Sequence, residues 1–405
     1  MEDFIDSLES RTPDLLERYD IPGASISLIE NGQIKWTGAF GYADIEAKKE
    51  TDEDTVYQVA SISKPVTAIG IMRLVERGEI NLDDPIEKYL TRWQIPATTY
   101  NKNDITIRKL LSHTAGLSVG GGYPGYERLI QLPSLEESLS GIGGGSKAVE
   151  LIREPGTQYS YSGGGYSLLQ LLIEEVTGMD FTSYMTKEVL APIKMDNSSF
   201  QWEEFLIHNT AKAYDEKLEL LPNYLFIEKA AAGLYATLED MSKFVIEEIN
   251  SYNGSGLLNN ETMLKMYEPV IEVKGLEGFI YQNTALGHFV NIDSNNNVLV
   301  AHDGSNKGWR ANFSIAPEKG HGIVILTNGN NGTYLINEAL NSWNYTVFGQ
   351  DSSFDKLAHN VQSAAYSISL ILLLWSVLIL VSLVAGLRNG TRELKAQSNK
   401  IVFIT

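Results

Sequence analysis

The sequence predicts an α/β (α+β) fold, in which an antiparallel sheet is built from both ends of one large domain and flanked by helices. Three observations predict it: strand-like alternation of apolar residues near the start, a helical middle, and a second group of strand-like segments before residue 350. The 405 residues are enough to bury a large core. A mostly helical inserted domain and a C-terminal transmembrane helix complete the prediction.

The first strands come from a hairpin near the N-terminus. Ala24–Ile29 alternates, Asn31-Gly32 is a hairpin turn signal, and Gln33–Phe40 returns as the second strand. Later strand signals are found at Gly287–Ile292, Asn297–His302, Arg310–Ala316 and Gly322–Asn328.

Residues 1–60 and 271–350 are therefore predicted to supply the sheet, and residues 61–270 the helical part. An apolar stripe that starts at Pro65 and stops near Gly78 predicts a helix. Two further helices are predicted in the helical part, at Tyr166–Val176 and Leu238–Ile249. Two glycine-rich surface loops are predicted there as well, at Ser118–Gly125 and Gly141–Gly145.

A long uncharged segment near the C-terminus predicts a membrane span. Ala364–Leu387 would be about 36 Å long as a helix, against about 30 Å of hydrocarbon. Residues 351–363 are predicted to be a linker, and 388–405 a basic tail. Because the positive charges follow the span, the tail is placed in the cytoplasm and the large domain outside a cell membrane.

That topology requires an export signal, and the first twenty residues have neither its basic region nor its apolar region. Either the signal lies upstream of this sequence, which we favour, or the domain stays in the cytosol and the charge rule fails. Ile401–Thr405 looks like the start of another apolar segment. We therefore expect the chain to be truncated at both ends.

Composition excludes several classes of site. The net charge is −19, from 51 acidic and 32 basic residues, and the first 350 residues contain no basic stripe, which argues against a nucleic-acid partner. The absence of cysteine excludes disulfides, zinc-thiolate sites and cysteine nucleophiles. No cofactor or metal ion is predicted.

Ser61 and Lys64 are the first candidate catalytic residues, because side chains three residues apart share one face of a helix. A serine hydroxyl needs a neighbouring base to remove its proton. A lysine amine can be that base when burial or positive potential lowers its pKa, and a helix N-terminus supplies such potential. Taken alone the motif is common by chance, and an N-cap serine followed by a solvated lysine also explains it.

Two later segments support the functional interpretation. Pro155–Tyr166 places Tyr161 in a glycine-rich loop before a helix, where a phenol beside a lysine can transfer protons. Val300–Ser305 ends a strand whose edge suits a substrate backbone, with His302 at the polar end. In the alternative interpretation, Tyr159 and Tyr161 only pack, and His302 is a buried histidine with satisfied hydrogen bonds.

These elements, in this order, resemble the serine β-lactamase and penicillin-binding superfamily. The resemblance is strongest to the branch of class C β-lactamases, D-alanyl-D-alanine carboxypeptidases, D-aminopeptidases and esterases, and covers roughly Ile21–Gly349. Other segments that carry it are Tyr19–Ala24, Phe40–Asp44, Ile80–Pro85, Ile105–Gly116 and Ala232–Thr237.

The resemblance implies that Ser61 is the acylated nucleophile, Lys64 its base and Tyr161 the tyrosine of the family's Tyr-x-Asn element. Gly163 stands where the family usually has the asparagine, so an amide contact to the substrate or to Lys64 is missing. His113, which lies in a segment that recurs in the family, is interpreted as structural.

The resemblance also implies that His302-Asp-Gly304 corresponds to the family's Lys/His-Thr-Gly strand. His302, Gly304 and Ser305 are therefore predicted to bind substrate, with an oxyanion hole formed by the backbone N–H groups of Ser61 and Ser305. His302 replaces the lysine typical of class C β-lactamases, so a cation that grips a β-lactam carboxylate is absent or pH-dependent. This replacement and Gly163 both argue against an efficient β-lactamase.

The predicted function is hydrolysis through an acyl-enzyme on Ser61. The expected substrate is a small peptide or acyl compound, foremost an amide of a D-amino-acid peptide from the cell wall or from a peptide metabolite, or an ester. The alternatives are a carboxylesterase for small esters, a weak β-lactamase, and a penicillin-binding sensor that does not hydrolyse. The membrane, contacted through residues 364–387, is the other predicted partner.

Overall fold

The computed structural model describes residues 1–118, 125–127, 132–142, 147–202, 204–275, 277–349 and 353–391. The chain divides into two compact units, Met1–Asp351 and Ser352–Thr405. Most of the two predicted glycine-rich loops, residues 119–124 and 143–145, and most of the predicted basic tail, residues 392–405, lie outside the described residues.

The strands of the first unit, numbered in chain order, are β1 Gly23–Glu30, β2 Gln33–Asp44, β3 Lys49–Glu50, β4 Val56–Gln58, β5 Ala213–Tyr214, β6 Leu220–Leu221, β7 Tyr235–Thr237, β8 Ile271–Glu272, β9 Asn283–Thr284, β10 Phe289–Ile292, β11 Val298–Asn306, β12 Trp309–Ala316 and β13 His321–Thr327. Nine of them form one antiparallel sheet in the order β3-β2-β1-β13-β12-β11-β10-β9-β8. The prediction of a large antiparallel sheet is confirmed. The strands from the N-terminal part of the domain meet those from its C-terminal part where β1 pairs with β13, with Ala24 opposite Thr327.

The helices are α1 Glu2–Arg18, α2 Ser63–Glu76, α3 Ile107–Leu111, α4 Leu135–Leu139, α5 Gly163–Thr177, α6 Phe181–Met185, α7 Glu204–Asn209, α8 Lys229–Ala232, α9 Leu238–Tyr252, α10 Asn260–Tyr267, α11 Gly332–Phe348 and α12 Ser353–Arg388. The predicted helices at 166–176 and 238–249 are the central parts of α5 and α9. Helix α12 makes up the second unit and contains the predicted span, and it begins inside the segment predicted to be a linker.

Helix α1 lies in a part of the chain that was assigned to the sheet. Its buried apolar residues recur every three or four positions, as on one face of a helix, and are Phe4, Ile5, Leu8, Leu15 and Leu16. Several of them pack with β1, β13 and α11 in one cluster. Residues 1–60 therefore supply a flanking helix as well as strands.

Strand β13 shows that the sheet is covered on both faces. Ile323 and Ile325 join the cluster that contains Trp343 of α11, whereas Val324 and Leu326 join the larger core that contains α2, α5 and α9. Alternate residues of a strand point to opposite faces, so a strand that is apolar throughout needs a helical layer on each side. The larger core fixes α2, and with it the turn that carries Ser61, against the sheet.

Candidate active site

Ser61 lies on a tight turn, the 3₁₀ segment Ala60–Ile62, directly before α2. Ala60 has φ +51°, in the left-handed region that residues with a Cβ rarely adopt. Ser63 is fully buried, where its hydroxyl donates to the carbonyl of Ala60 at 2.6 Å and accepts from the N–H of Leu234 at 3.0 Å. Ser63 thus fastens the turn, while Ser61 is partly exposed.

Lys64 is fully buried at the start of α2. Its Nζ donates to Ser61 Oγ at 3.0 Å and to the carbonyl of Ala231, which precedes the turn into β7, at 2.7 Å. Burial lowers the pKa of Lys64 to about 7, because the charged amine loses its hydration. The structure therefore brings a partly neutral amine within hydrogen-bond distance of the Ser61 hydroxyl.

Tyr161 lies next to the same amine. Lys64 Nζ is 4.8 Å from the centre of the Tyr161 ring and 5.6 Å from that of Tyr166. The electron-rich ring faces stabilise the ammonium form of Lys64. The structure thus brings the three predicted catalytic residues together.

His113 accepts hydrogen bonds from the residues directly before and after Tyr161. The N–H of Ser160 donates to the His113 carbonyl at 2.8 Å, and the N–H of Ser162 donates to His113 Nδ1 at 3.1 Å. The two rings lie 4.2 Å apart between centres. Burial, and then the positive charge of Lys64, holds the pKa of His113 well below its ordinary value, which keeps Nδ1 free to accept.

Strand β11 supplies the predicted substrate-binding residues. Strand β10 pairs with β11 only along Val298–Ala301, so the described strands leave the edge of His302–Asn306 open. Gly304 passes so close to the turn of Ser61 that a Cβ there would lie 2.1 Å from the carbonyl oxygen of Val59. Only glycine permits this approach, which sets the open edge, including exposed Ser305, beside Ser61.

His302 is buried at the start of that edge, 6.5 Å from Tyr161 and 5.2 Å from Phe289 between ring centres. Burial, and then the charge of Lys64, lowers its pKa to about 3. Its Nδ1 lies 2.7 Å from the carbonyl of Asp303 and so donates to it. His302 is therefore a neutral ring at neutral pH, not a cation.

Several site contacts were not predicted from the sequence. Gly163 begins α5 and brings no side chain, and the Lys64 amine also donates to the carbonyl of Ala231. Asp303, between His302 and Gly304 on β11, accepts hydrogen bonds from Tyr281 and from Asn312. Among the described residues, no group of three or more His, Asp or Glu side chains could hold a metal ion.

Comparison with known proteins gives consistent matches. A family model described as Beta-lactamase matches residues 8–341. The chain is 26% identical over 319 residues to "Protein flp" of Staphylococcus aureus (strain NCTC 8325 / PS 47), across 78% of this chain and 61% of that protein. It is also 26% identical over 344 residues to the "Beta-lactamase" of Escherichia coli (strain K12), across 78% of this chain and 86% of that protein.

The chain thus spans about three fifths of the length of the staphylococcal relative. Among solved structures, it is similar to the octameric penicillin-binding protein homologue from Pyrococcus abyssi, with a TM-score of 0.72 and 27% sequence identity. That likeness covers 86% of this chain and 78% of the other.

Proposed function

Since the chain belongs to the Beta-lactamase family, we propose that it is a serine hydrolase that works through an acyl-enzyme on Ser61. One observation carries the proposal: the buried amine of Lys64, with its pKa lowered to about 7, lies 3.0 Å from the Ser61 hydroxyl. A base whose pKa is close to neutral combines a useful neutral fraction with a useful basicity.

In the proposed acylation, Ser61 Oγ attacks the substrate carbonyl carbon and its proton passes to the neutral amine of Lys64. The carbonyl oxygen becomes an oxyanion, for which the N–H groups of Ser61 and Ser305 are the proposed donors. The C–N or C–O bond then breaks, and the leaving group takes a proton from the Tyr161 hydroxyl. Lys64 returns a proton to Tyr161, and water later releases the acyl group by the reverse transfers.

The proposed substrates are amides of D-amino-acid peptides, with small esters as the second choice. The open edge of β11 supports this, because an extended acyl chain can bind there through its backbone. A high rate on β-lactams is disfavoured, since His302 is neutral and supplies no fixed charge for their carboxylate.

The test is intact-mass analysis of the chain after incubation with D-peptides, esters and penicillin, with Ser61→Ala as the matched control. A hydrolase shows a transient mass increase that maps to Ser61 and product that accumulates beyond one equivalent. A stable adduct without turnover supports the alternative of a penicillin-binding sensor. Turnover that survives in Ser61→Ala would contradict the proposal.

We further propose that α12 anchors the protein in a cell membrane, with the hydrolase domain outside the cytoplasm. Ile371–Arg388 is long and apolar enough to cross a membrane, and only 6% of it is buried. Its side chains include Trp375, exposed at 62%, and Leu378, exposed at 66%, an arrangement that favours lipid over water.

The anchor is tested by ending the chain after Phe354. The shortened protein is expected in the soluble fraction with full activity, while the full chain sediments with membranes. Protease added to intact cells should digest the domain, and complete protection would contradict the outward orientation.

A further inference from the structure

We propose that Asp303 makes the enzyme select against a free carboxylate on the leaving group of its substrate, so that its substrates release neutral or cationic groups. The inference rests on the proposed acyl-enzyme chemistry and adds a substrate class to it. It would make the protein an amidase or esterase with aminopeptidase-like products, not a carboxypeptidase that releases a free D-amino acid.

Asp303 lies on the open edge of β11, between His302 and Gly304. It is the second residue beyond the end of the pairing with β10, and it is partly exposed. One carboxylate oxygen accepts from Asn312 Nδ2 at 2.8 Å, and the other accepts from the hydroxyl of Tyr281. Two donors on two oxygens suit an ionised carboxylate, which only accepts.

Contacts between side chains join the Asp303 carboxylate to Tyr161, the proposed proton donor of the leaving group. Tyr161, the proposed proton donor to that group, packs against the apolar cluster that contains Tyr281 and Phe289. Because Tyr281 bonds directly to Asp303, one set of touching side chains leads from the proton donor to the carboxylate. A leaving group that reaches Tyr161 therefore also meets the negative potential of Asp303.

A second acidic side chain, Glu277, lies close enough to Asp303 to interact with its charge. Glu277 accepts a hydrogen bond from the hydroxyl of Tyr159, whose ring packs in the same cluster. The pKa of Asp303 lies above its ordinary value, because burial and the charge of Glu277 raise it by more than the hydrogen bonds from Tyr281 and Asn312 lower it. A second carboxylate near the first makes this side of the cleft more unfavourable for a third.

The experiment compares two substrates of the full chain that differ only in leaving-group charge: N-acetyl-D-alanyl-D-alanine and its C-terminal amide. We expect kcat/KM to be at least about tenfold higher for the amide, as repulsion between close charges in a partly buried site predicts. In Asp303→Asn the kcat/KM values for the two substrates should lie within about threefold of each other, mainly because kcat/KM for the acid rises. Glu50→Gln is the matched control, since it removes one exposed carboxylate from β3, at the opposite edge of the sheet.

Two further measurements separate the possible failures. Added salt should raise kcat/KM for the acid but not for the amide, because it screens the repulsion, and this needs no variant. The second measurement is the dissociation constant of each compound for the Ser61→Ala variant, which reports binding without turnover. If neither compound is hydrolysed but the amide binds at least about tenfold more tightly, the hydrolase proposal fails and the role of Asp303 stands. If wild type treats both alike in rate and binding, or Asp303→Asn leaves a large preference unchanged, the inference is overturned.

Discussion

Replacing Lys64 with methionine should destroy activity and yet stabilise the folded protein at low pH. Burial lowers the pKa of Lys64 from 10.5 to about 7, which corresponds to about 5 kcal/mol against the charged amine in the fold. Methionine has a similar shape and no charge, so it avoids this cost. It also leaves the Ala231 carbonyl without the 2.7 Å bond from Lys64, a loss of about 1–3 kcal/mol. The net gain expected at pH 5 is therefore about 2–4 kcal/mol.

The stability advantage of Lys64→Met over the wild type should shrink as the pH rises. Between about pH 7 and 10.5 the unfolded chain keeps a proton on Lys64 that the folded chain has lost. Stability of the wild type therefore rises with pH in this window, whereas below pH 7 both states are protonated and the full cost remains. From pH 5 to pH 9 the cost falls by about 3 kcal/mol, and Lys64→Met lacks this dependence.

The assay is urea unfolding of both proteins at pH 5, 7 and 9, together with kcat/KM. The difference in unfolding free energy between them should fall steadily across the series, and the wild-type kcat/KM should rise through about pH 7. A methionine variant that is less stable than wild type at pH 5, or a difference that does not change with pH, would refute a buried amine with a lowered pKa.

Three other substitutions probe the site. Ser63→Ala should keep most activity while losing about 1–3 kcal/mol in urea unfolding, because it deletes two buried hydrogen bonds; full stability would contradict that role. His113→Leu should lower kcat about tenfold or more at nearly constant KM by releasing Tyr161, and His113→Asn, which offers an acceptor near Nδ1, should recover part of it; equal losses in the two variants would mean a purely structural role. Gly304→Ala should reduce kcat/KM on the order of 10²-fold, the scale of a misplacement of about 1 Å, and a rate close to wild type would show that β11 need not approach the turn of Ser61.

Much of the fold could be predicted from local patterns. The Asn31-Gly32 turn and the alternation on either side fix the hairpin of β1 and β2, because turn chemistry and period depend on neighbours in sequence. Strand β11 is longer than its predicted segment, which ended at His302. Polar residues follow His302, and they stay extended because β12 pairs with them, a contact that the segment's own residues do not encode.

At the candidate active site, too, local patterns could be predicted and contacts with distant segments could not. The motif of Ser61 and Lys64 is local, and the tyrosine and the histidine strand could be added by resemblance. The partners that set the charge of the cleft come from distant segments: Ala231 to Lys64, and Tyr281 to Asp303. No periodicity or spacing indicates such contacts. A lowered pKa of Lys64 could be expected from its role beside Ser61, but the degree of burial that sets its magnitude could not be derived from the sequence.

The open edge of β11 has a consequence for how the protein behaves among other chains. An unpaired strand can template the addition of any extended polypeptide, and long exposed edges lead to aggregation. Here the stretch of β11 that β10 leaves unpaired is only His302–Asn306, and its middle residue, Gly304, passes close to the turn that carries Ser61. Such a short, recessed edge can accept one flexible peptide but not the flat edge of a second sheet. The proposed substrate-binding edge can thus stay open without serving as a template for aggregation.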